Sequence, residues 1–112
     1  MSPTQRTLAH FRAQGHSVAI TEHWNPWAKR RQDLFGMIDI IVLRNARILG
    51  VQCTSSTNHS ARVKKVLAND HVLNWMKCAD LMVVSWKKRA RDPRITHIFY
   101  DDINDKVGKL DI

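Results

Sequence analysis

The chain is poor in cysteine, has no long apolar run and carries few acids over most of its length. Its two cysteines, Cys53 and Cys78, stand in apolar surroundings without a CxxC spacing, which leaves no disulfide framework or paired-thiol metal site. Both are expected as small core residues, reduced in a cytoplasmic protein. No apolar stretch reaches the ~18 residues of a membrane helix. The opening MSPTQRTLAHF lacks the charged-then-apolar plan of a secretory signal. HExxH is absent, and His10, His16 and His23 are spaced so that no two meet at i, i+4, which argues against zinc. An RNP-type aromatic run and a GXXG loop are also missing, so no RNA-binding motif is legible. Repeats, low-complexity blocks and internal linkers do not occur.

What is present fits one compact domain: 112 residues, 44% hydrophobic and 25% charged. Residues 1–99 hold sixteen Lys and Arg against six Asp and Glu, a local excess of ten. The final stretch, YDDINDKVGKLDI, reverses the sign with four acids and two bases. An excess of this size attracts polyanions, nucleic acid above all, without specifying a base sequence. An anionic membrane surface is the weaker fit, because no basic amphipathic helix with a broad apolar face appears.

Ser2, Pro3 and Gln5 mark a helix start of the capping-box kind, Leu8 and Phe11 one helical face, and Gly15 a stop. SVAITEHW reads as a strand with Val18, Ile20 and Glu22 on one side. NPWAKRRQDLFG reads as a polar, basic loop, with Trp24 anchoring onto the core beside it. Strands follow at about residues 37–44 and 47–55, joined through Asn45-Ala46. TNHSARVKKVLA is expected as a helix, and Asn69 opens a second in which Val72, Trp75, Met76 and Ala79 share a face. LMVVSWK is apolar on both faces, as a central strand must be, and ITHIFY is the last strand. The order α-β-β-β-α-α-β-β predicts an α/β fold with a mixed sheet flanked by helices. That domain is expected over residues 1–100, with a loosely held acidic tail over 101–112.

Within GMIDIIVLRNARILGVQC two polar residues interrupt apolar runs, Asp39 and Gln52. Buried polar groups are costly unless something satisfies them. A two-residue turn closed by Arg44 and Arg47 pairs residues whose numbers sum to 91, which sets Asp39 opposite Gln52. A four-residue loop keeps that register, whereas a three-residue loop breaks it. Opposed side chains lie about 4.5–5.5 Å apart at Cβ. Two oxygen-bearing groups at that spacing can share a divalent cation such as Mg²⁺. Glu22 and Asp33 are further acidic candidates. The alternative is structural, with Asp39 paired to an arginine and Gln52 hydrogen-bonded across the strands.

An Asp in a strand, a short hairpin and a strand ending near an acid-x-Lys position, set between helices, resembles the PD-(D/E)XK nuclease superfamily, to which archaeal-type Holliday junction resolvases belong. WNPWAKRRQDLFGMIDIIVL with GVQCTSSTNHSARVKK is similar to a group of small phage and prophage proteins assigned to it. The resemblance spans about residues 5–90 and is specific from Trp24 to Lys65. Ile38 stands where the signature has Pro, Gln52 where it has Asp or Glu, and Thr54 where it has Lys.

The resemblance implies a restriction-endonuclease-like core and Mg²⁺- or Mn²⁺-dependent cutting of DNA. Asp39 would be the principal metal ligand, joined by the Gln52 side-chain oxygen, the Cys53 carbonyl, Glu22 and Asp33. Lys65, or failing it Lys64, would replace the missing ammonium. Lys29, Arg30, Arg31, Arg62 and Lys64 would hold DNA phosphates, and Trp27 would stack on an unpaired base or wedge into a junction. Cutting a branched junction takes two incisions, which implies a homodimer; no small-molecule cofactor and no membrane partner are expected, and the setting would be the cytoplasm of a bacterial host. Two other readings remain open: a nuclease-fold DNA-binding protein whose chemistry has lapsed, and a basic RNA-binding module.

Overall fold

A computed structural model of the chain describes residues 1–103. Helix α1 (Pro3–Ala13) starts where expected: the Ser2 hydroxyl accepts the Gln5 N–H at 3.1 Å and Pro3 takes the first position. Gly15, at φ +86, ends it. Strand β1 (Ser17–Ile20) then stops short of Glu22. His23 and Trp24, expected to continue that strand, and part of the segment expected as a loop instead form a second, two-stranded sheet, β2 (His23–Asn25) against β3 (Arg30–Gln32). Asn25 Oδ1 accepts the N–H groups of Trp27 and Ala28, the local turn chemistry that closes this ribbon. Trp24 is correspondingly 58% exposed rather than anchored in the core.

Strands β4 (Ile40–Arg44) and β5 (Arg47–Ser55) form the expected hairpin, with Ile40 opposite Val51 and Arg44 opposite Arg47. Both turn residues lie in the left-handed region, Asn45 at φ 53 and Ala46 at φ 61, the geometry that matches the twist of the strands. A short 3-10 turn (Ser56–Asn58) leads to α2 (His59–Leu67), then α3 (Val72–Met76), β6 (Asp80–Trp86) and β7 (Arg94–Ile98). The main sheet runs β1-β4-β5-β6-β7, parallel between β5 and β6 and antiparallel elsewhere. It is a mixed sheet flanked by helices.

Alternation along the strands divides the core in two. Ile40, Val42, Val51, Cys53, Met82 and Val84 pack on one face against Leu8 and Phe11 of α1. Leu81, Val83 and Ile38 pack on the other against Val66 and Val72 of α2 and α3. Each fully buried aliphatic or aromatic side chain contributes about 1.5–3 kcal/mol, so both layers matter. Gly50 is required where α3 meets β5: a Cβ there would lie 2.7 Å from Trp75 Cζ2. Trp75 holds that seat through its Nε1–H, which donates to the Asp80 carbonyl at 2.8 Å.

Three details depart from the sequence reading. Cys78 is exposed, because α3 ends at Met76 and turns the chain outward. Gln5 is exposed, and of the capping box the serine half forms. Residues 100–103 continue past β7 as a helical turn that buries Ile103, and the rest of the acidic tail lies outside the described residues.

Candidate metal centre and basic groove

Asp39 sits at a bend just before β4, on the sheet face turned towards α2 and α3. It is 4% exposed. Gln52, on the facing strand of the hairpin, donates from Nε2 to Asp39 Oδ2 at 2.7 Å, and the Cys53 backbone N–H donates to the same oxygen at 2.8 Å. Because the N–H and C=O of a strand residue open on the same edge, the Cys53 carbonyl also faces this side. The Cys53 side chain points into the opposite core, where burial pushes its thiol up to about 12 and leaves it inert.

A tight fold-back brings Asp33 to Asp39. Leu34 and Ile38 bridge, the Gly36 N–H donates to the Asp33 carbonyl at 3.0 Å, and Phe35 and Gly36 both lie at positive φ. A left-handed Phe35 is strained backbone, and the surrounding structure must impose it. Asn69 does so from the α2–α3 connection, donating from Nδ2 to the Phe35 carbonyl at 2.9 Å. On the other flank the Thr21 N–H donates to the Asp39 carbonyl and the Thr21 hydroxyl to the Ile38 carbonyl, each at 2.8 Å. Thr21 thereby sets the next residue, Glu22, beside the cluster.

Carboxylate oxygens of Glu22, Asp33 and Asp39 come within 4.8 Å of one another. Burial first, then the hydrogen bond with Asp33 and the neighbouring negative charges, pushes the Asp39 carboxyl up to about 8. Three carboxylates so placed hold either a proton or a cation among them. The arginine clasp on Asp39 does not form; Glu22 takes the arginine instead, with Arg31 Nη1 at 3.3 Å on an exposed side chain.

Gln52 Oε1 is the second anomaly. It is buried and has no hydrogen-bond partner among the described residues, a rare condition in native interiors. Gln52, whose Nε2 meets Asp39, and the three clustered carboxylates offer oxygen donors, the kind that fits Mg²⁺ or Mn²⁺. Asp39, Asp33, Glu22, Gln52 and the Cys53 carbonyl are the residues able to hold it.

The cluster opens into a groove of about 720 Å³ whose walls include Arg30, Arg31, Arg62 and Lys65. Lys65 and Arg62 thus stand on the face of α2 towards the acids, whereas Lys64, exposed as Lys65 is, is not among those walls. Lys29 lies in the ribbon turn at φ 51, and Trp27 projects from its tip, 95% exposed. Thr54, at the position where the signature has Lys, is buried in β5.

Set against family models, curated proteins and solved structures, the chain finds no match. Its site is read from geometry. Sequence reasoning missed Thr21, the second role of Asn69 and the strained Phe35. Asn69 is not the cap of α3, a position that falls on His71; its Oδ1 accepts the His71 N–H at 2.7 Å in the turn before the helix. No local signal marked Thr21, whose partners lie seventeen and more residues away.

Proposed function

We propose that this protein is a divalent-cation-dependent DNA endonuclease of the PD-(D/E)XK kind, acting on branched DNA in a phage or prophage setting within a bacterial cytoplasm. The observation that carries this reading is the buried Asp39, crowded by Glu22 and Asp33, two carboxylates that themselves line a basic groove. A cation bound there supplies charge that polarises a phosphoryl oxygen and acidifies water. The chain's own groups do the rest. Arg30, Arg31 and Arg62 draw the phosphate backbone over the acids. Lys65 brings an ammonium to the side where negative charge builds up as the phosphodiester is attacked. The exposed Arg31 exchanges its partner Glu22 for phosphate, which frees that carboxylate for the cluster. Trp27, standing clear of the ribbon tip, stacks on an unpaired base. Two copies acting together supply the paired incisions that a junction requires.

A specific observation also favours a second reading, DNA binding without cutting. Asp39 Oδ2 is already satisfied by Gln52 and Cys53, and Thr54 offers no ammonium. Incubation with supercoiled plasmid, single strands and a four-way junction, with Mg²⁺ or Mn²⁺, decides between them. Cation-dependent cutting that disappears in a folded Asp39→Asn variant is the expected result. Tight, salt-sensitive binding with intact DNA under every cation would leave the second reading standing, and a preference for structured RNA would displace both.

A further inference from the structure

The connection between β6 and β7 concentrates charge outside the groove. Lys87, Lys88, Arg89, Arg91 and the first residue of β7, Arg94, are accompanied by a single acid, Asp92. A basic run is ordinarily a solvated surface whose side chains need no fixed backbone. Here the backbone is fixed by another cation. Arg6 of α1 donates from Nη1 to the Lys87 carbonyl at 2.8 Å and from Nη2 to the Ala90 carbonyl at 2.5 Å. Its guanidinium also lies 4.4 Å over the ring of Trp86, whose Nε1–H donates to Thr7 at 2.9 Å. Among the described residues the ion pairs are Arg31–Glu22 and Arg47–Asp80, so this loop's bases have none. Like charges held together without compensation repel one another, and an external anion relieves them.

Beside the loop lies a cavity of about 430 Å³, lined by the hydroxyl-bearing Ser56 and Thr57 together with Lys87 and Arg94. Asp92 also borders it and leaves the balance basic. Hydroxyl, ammonium and guanidinium donors in one concavity match the oxygens of a phosphodiester. The cavity is also close to the acids. Ser56, the first residue after β5, follows Cys53 by three residues, which is roughly 10 Å at most at the rise of a strand.

We propose that the β6–β7 loop and its cavity form a second phosphate-holding surface, which grips the nucleic-acid backbone on the far side of the carboxylate cluster from the β2–β3 ribbon. The proposal rests on the DNA reading above for the identity of the polyanion. It deepens that reading by requiring a substrate several nucleotides long, laid across both surfaces.

The test is fluorescence anisotropy of a labelled duplex of about thirty base pairs, titrated with KCl, on the full chain. A Lys87→Ala/Arg94→Ala double variant is expected to bind at least about tenfold more weakly and to lose about two from the salt slope. An Arg12→Ala/Lys77→Ala double variant, which removes equal charge elsewhere, is expected to bind as the parent does. Thermal melting of both variants shows whether they are folded, and a double variant at Lys87 and Ser56 replaces the first should it fail to fold. A parental salt slope in the Lys87/Arg94 variant, or an equal loss in the charge control, overturns the proposal. Inorganic phosphate and a mononucleotide serve as competitors. If either displaces the duplex at concentrations where the Lys87/Arg94 variant is unaffected, and longer strands gain no affinity, the surface is a small-anion site and the backbone assignment falls. Cutting that survives while the slope is parental sinks this inference alone. A reduced slope with no cutting under any cation sinks the nuclease reading alone.

Discussion

Two buried polar clusters flank the same helix, and they are satisfied to different degrees. At the start of α2, His59 is 1% exposed, with Nδ1 2.6 Å from the Ser85 hydroxyl and Nε2 2.7 Å from the Thr96 hydroxyl. One ring nitrogen donates and the other accepts, so a neutral imidazole completes the set. Burial, aided by Arg94, lowers its pKa and keeps it neutral. Across the sheet, Asp39 and Gln52 are equally enclosed but remain incomplete, with one amide oxygen unpartnered and a carboxyl that resists ionisation. A closed cluster holds secondary structure together, whereas an open one leaves room for a ligand.

The largest expected difference between the two is in catalysis. Asp39→Asn, nearly isosteric, is expected to lower cation-dependent cutting by at least about a hundredfold, while His59→Ala cuts at the parental rate below its melting temperature. A His59 variant that is folded and inactive would erase the distinction. In stability the order reverses. Loss of the imidazole leaves two hydroxyls and a cavity, a cost of about 3 kcal/mol by urea unfolding.

The proton at Asp39 gives a third contrast. Its carboxyl keeps a proton in the folded chain up to about pH 8, but in the unfolded chain releases it near 3.8. Between those values the folded state binds more protons, so cation-free stability falls as pH rises through that window. Asp39→Asn is expected to flatten that dependence, and Mg²⁺ or Mn²⁺ to raise the melting temperature most at the alkaline end. A parental slope in the variant would place the titrating group elsewhere. His59, with its pKa lowered, contributes in the opposite sense: the unfolded chain takes up its proton more readily, so its share of stability is lost as pH falls through 6.5.

Smaller effects sharpen the picture. Gln52→Glu restores an acid to the open cluster; calorimetry is expected to show about tenfold tighter cation binding. Without cation the variant loses about 1–2 kcal/mol, because a fourth carboxylate replaces the Nε2 donor. Ala46→Gly, remote from both clusters, relieves a left-handed alanine and is expected to stabilise by at most about 1 kcal/mol. A larger gain would mean that the hairpin turn strains the register that sets Asp39 opposite Gln52.

Much of the frame was legible because its causes are local. The Ser2–Pro3 start of α1, the two-sided apolar run of β6 and the pairing of Asp39 with Gln52 follow from neighbouring residues, strand alternation and one turn length. From Asn25 onward the ribbon carries no period-two signal, because Asn25, Arg30, Arg31 and Gln32 are polar on both faces and none is buried. His59 was passed over for a similar reason: its partners lie twenty-six and more residues away.

Sequence alone therefore determined the order of the helices and main-sheet strands, the hairpin register and the excess of basic charge, all of which depend on short-range periodicity or simple composition. Tertiary structure decided that Asp33 folds back onto Asp39, that Lys65 rather than Lys64 lines the groove, and that Gln52 keeps an oxygen unpartnered. Those outcomes depend on Thr21 and Asn69 gripping distant carbonyls and on a backbone forced left-handed at Phe35. No single segment encodes such contacts, because each is favourable only after the sheet and its helices have closed around them.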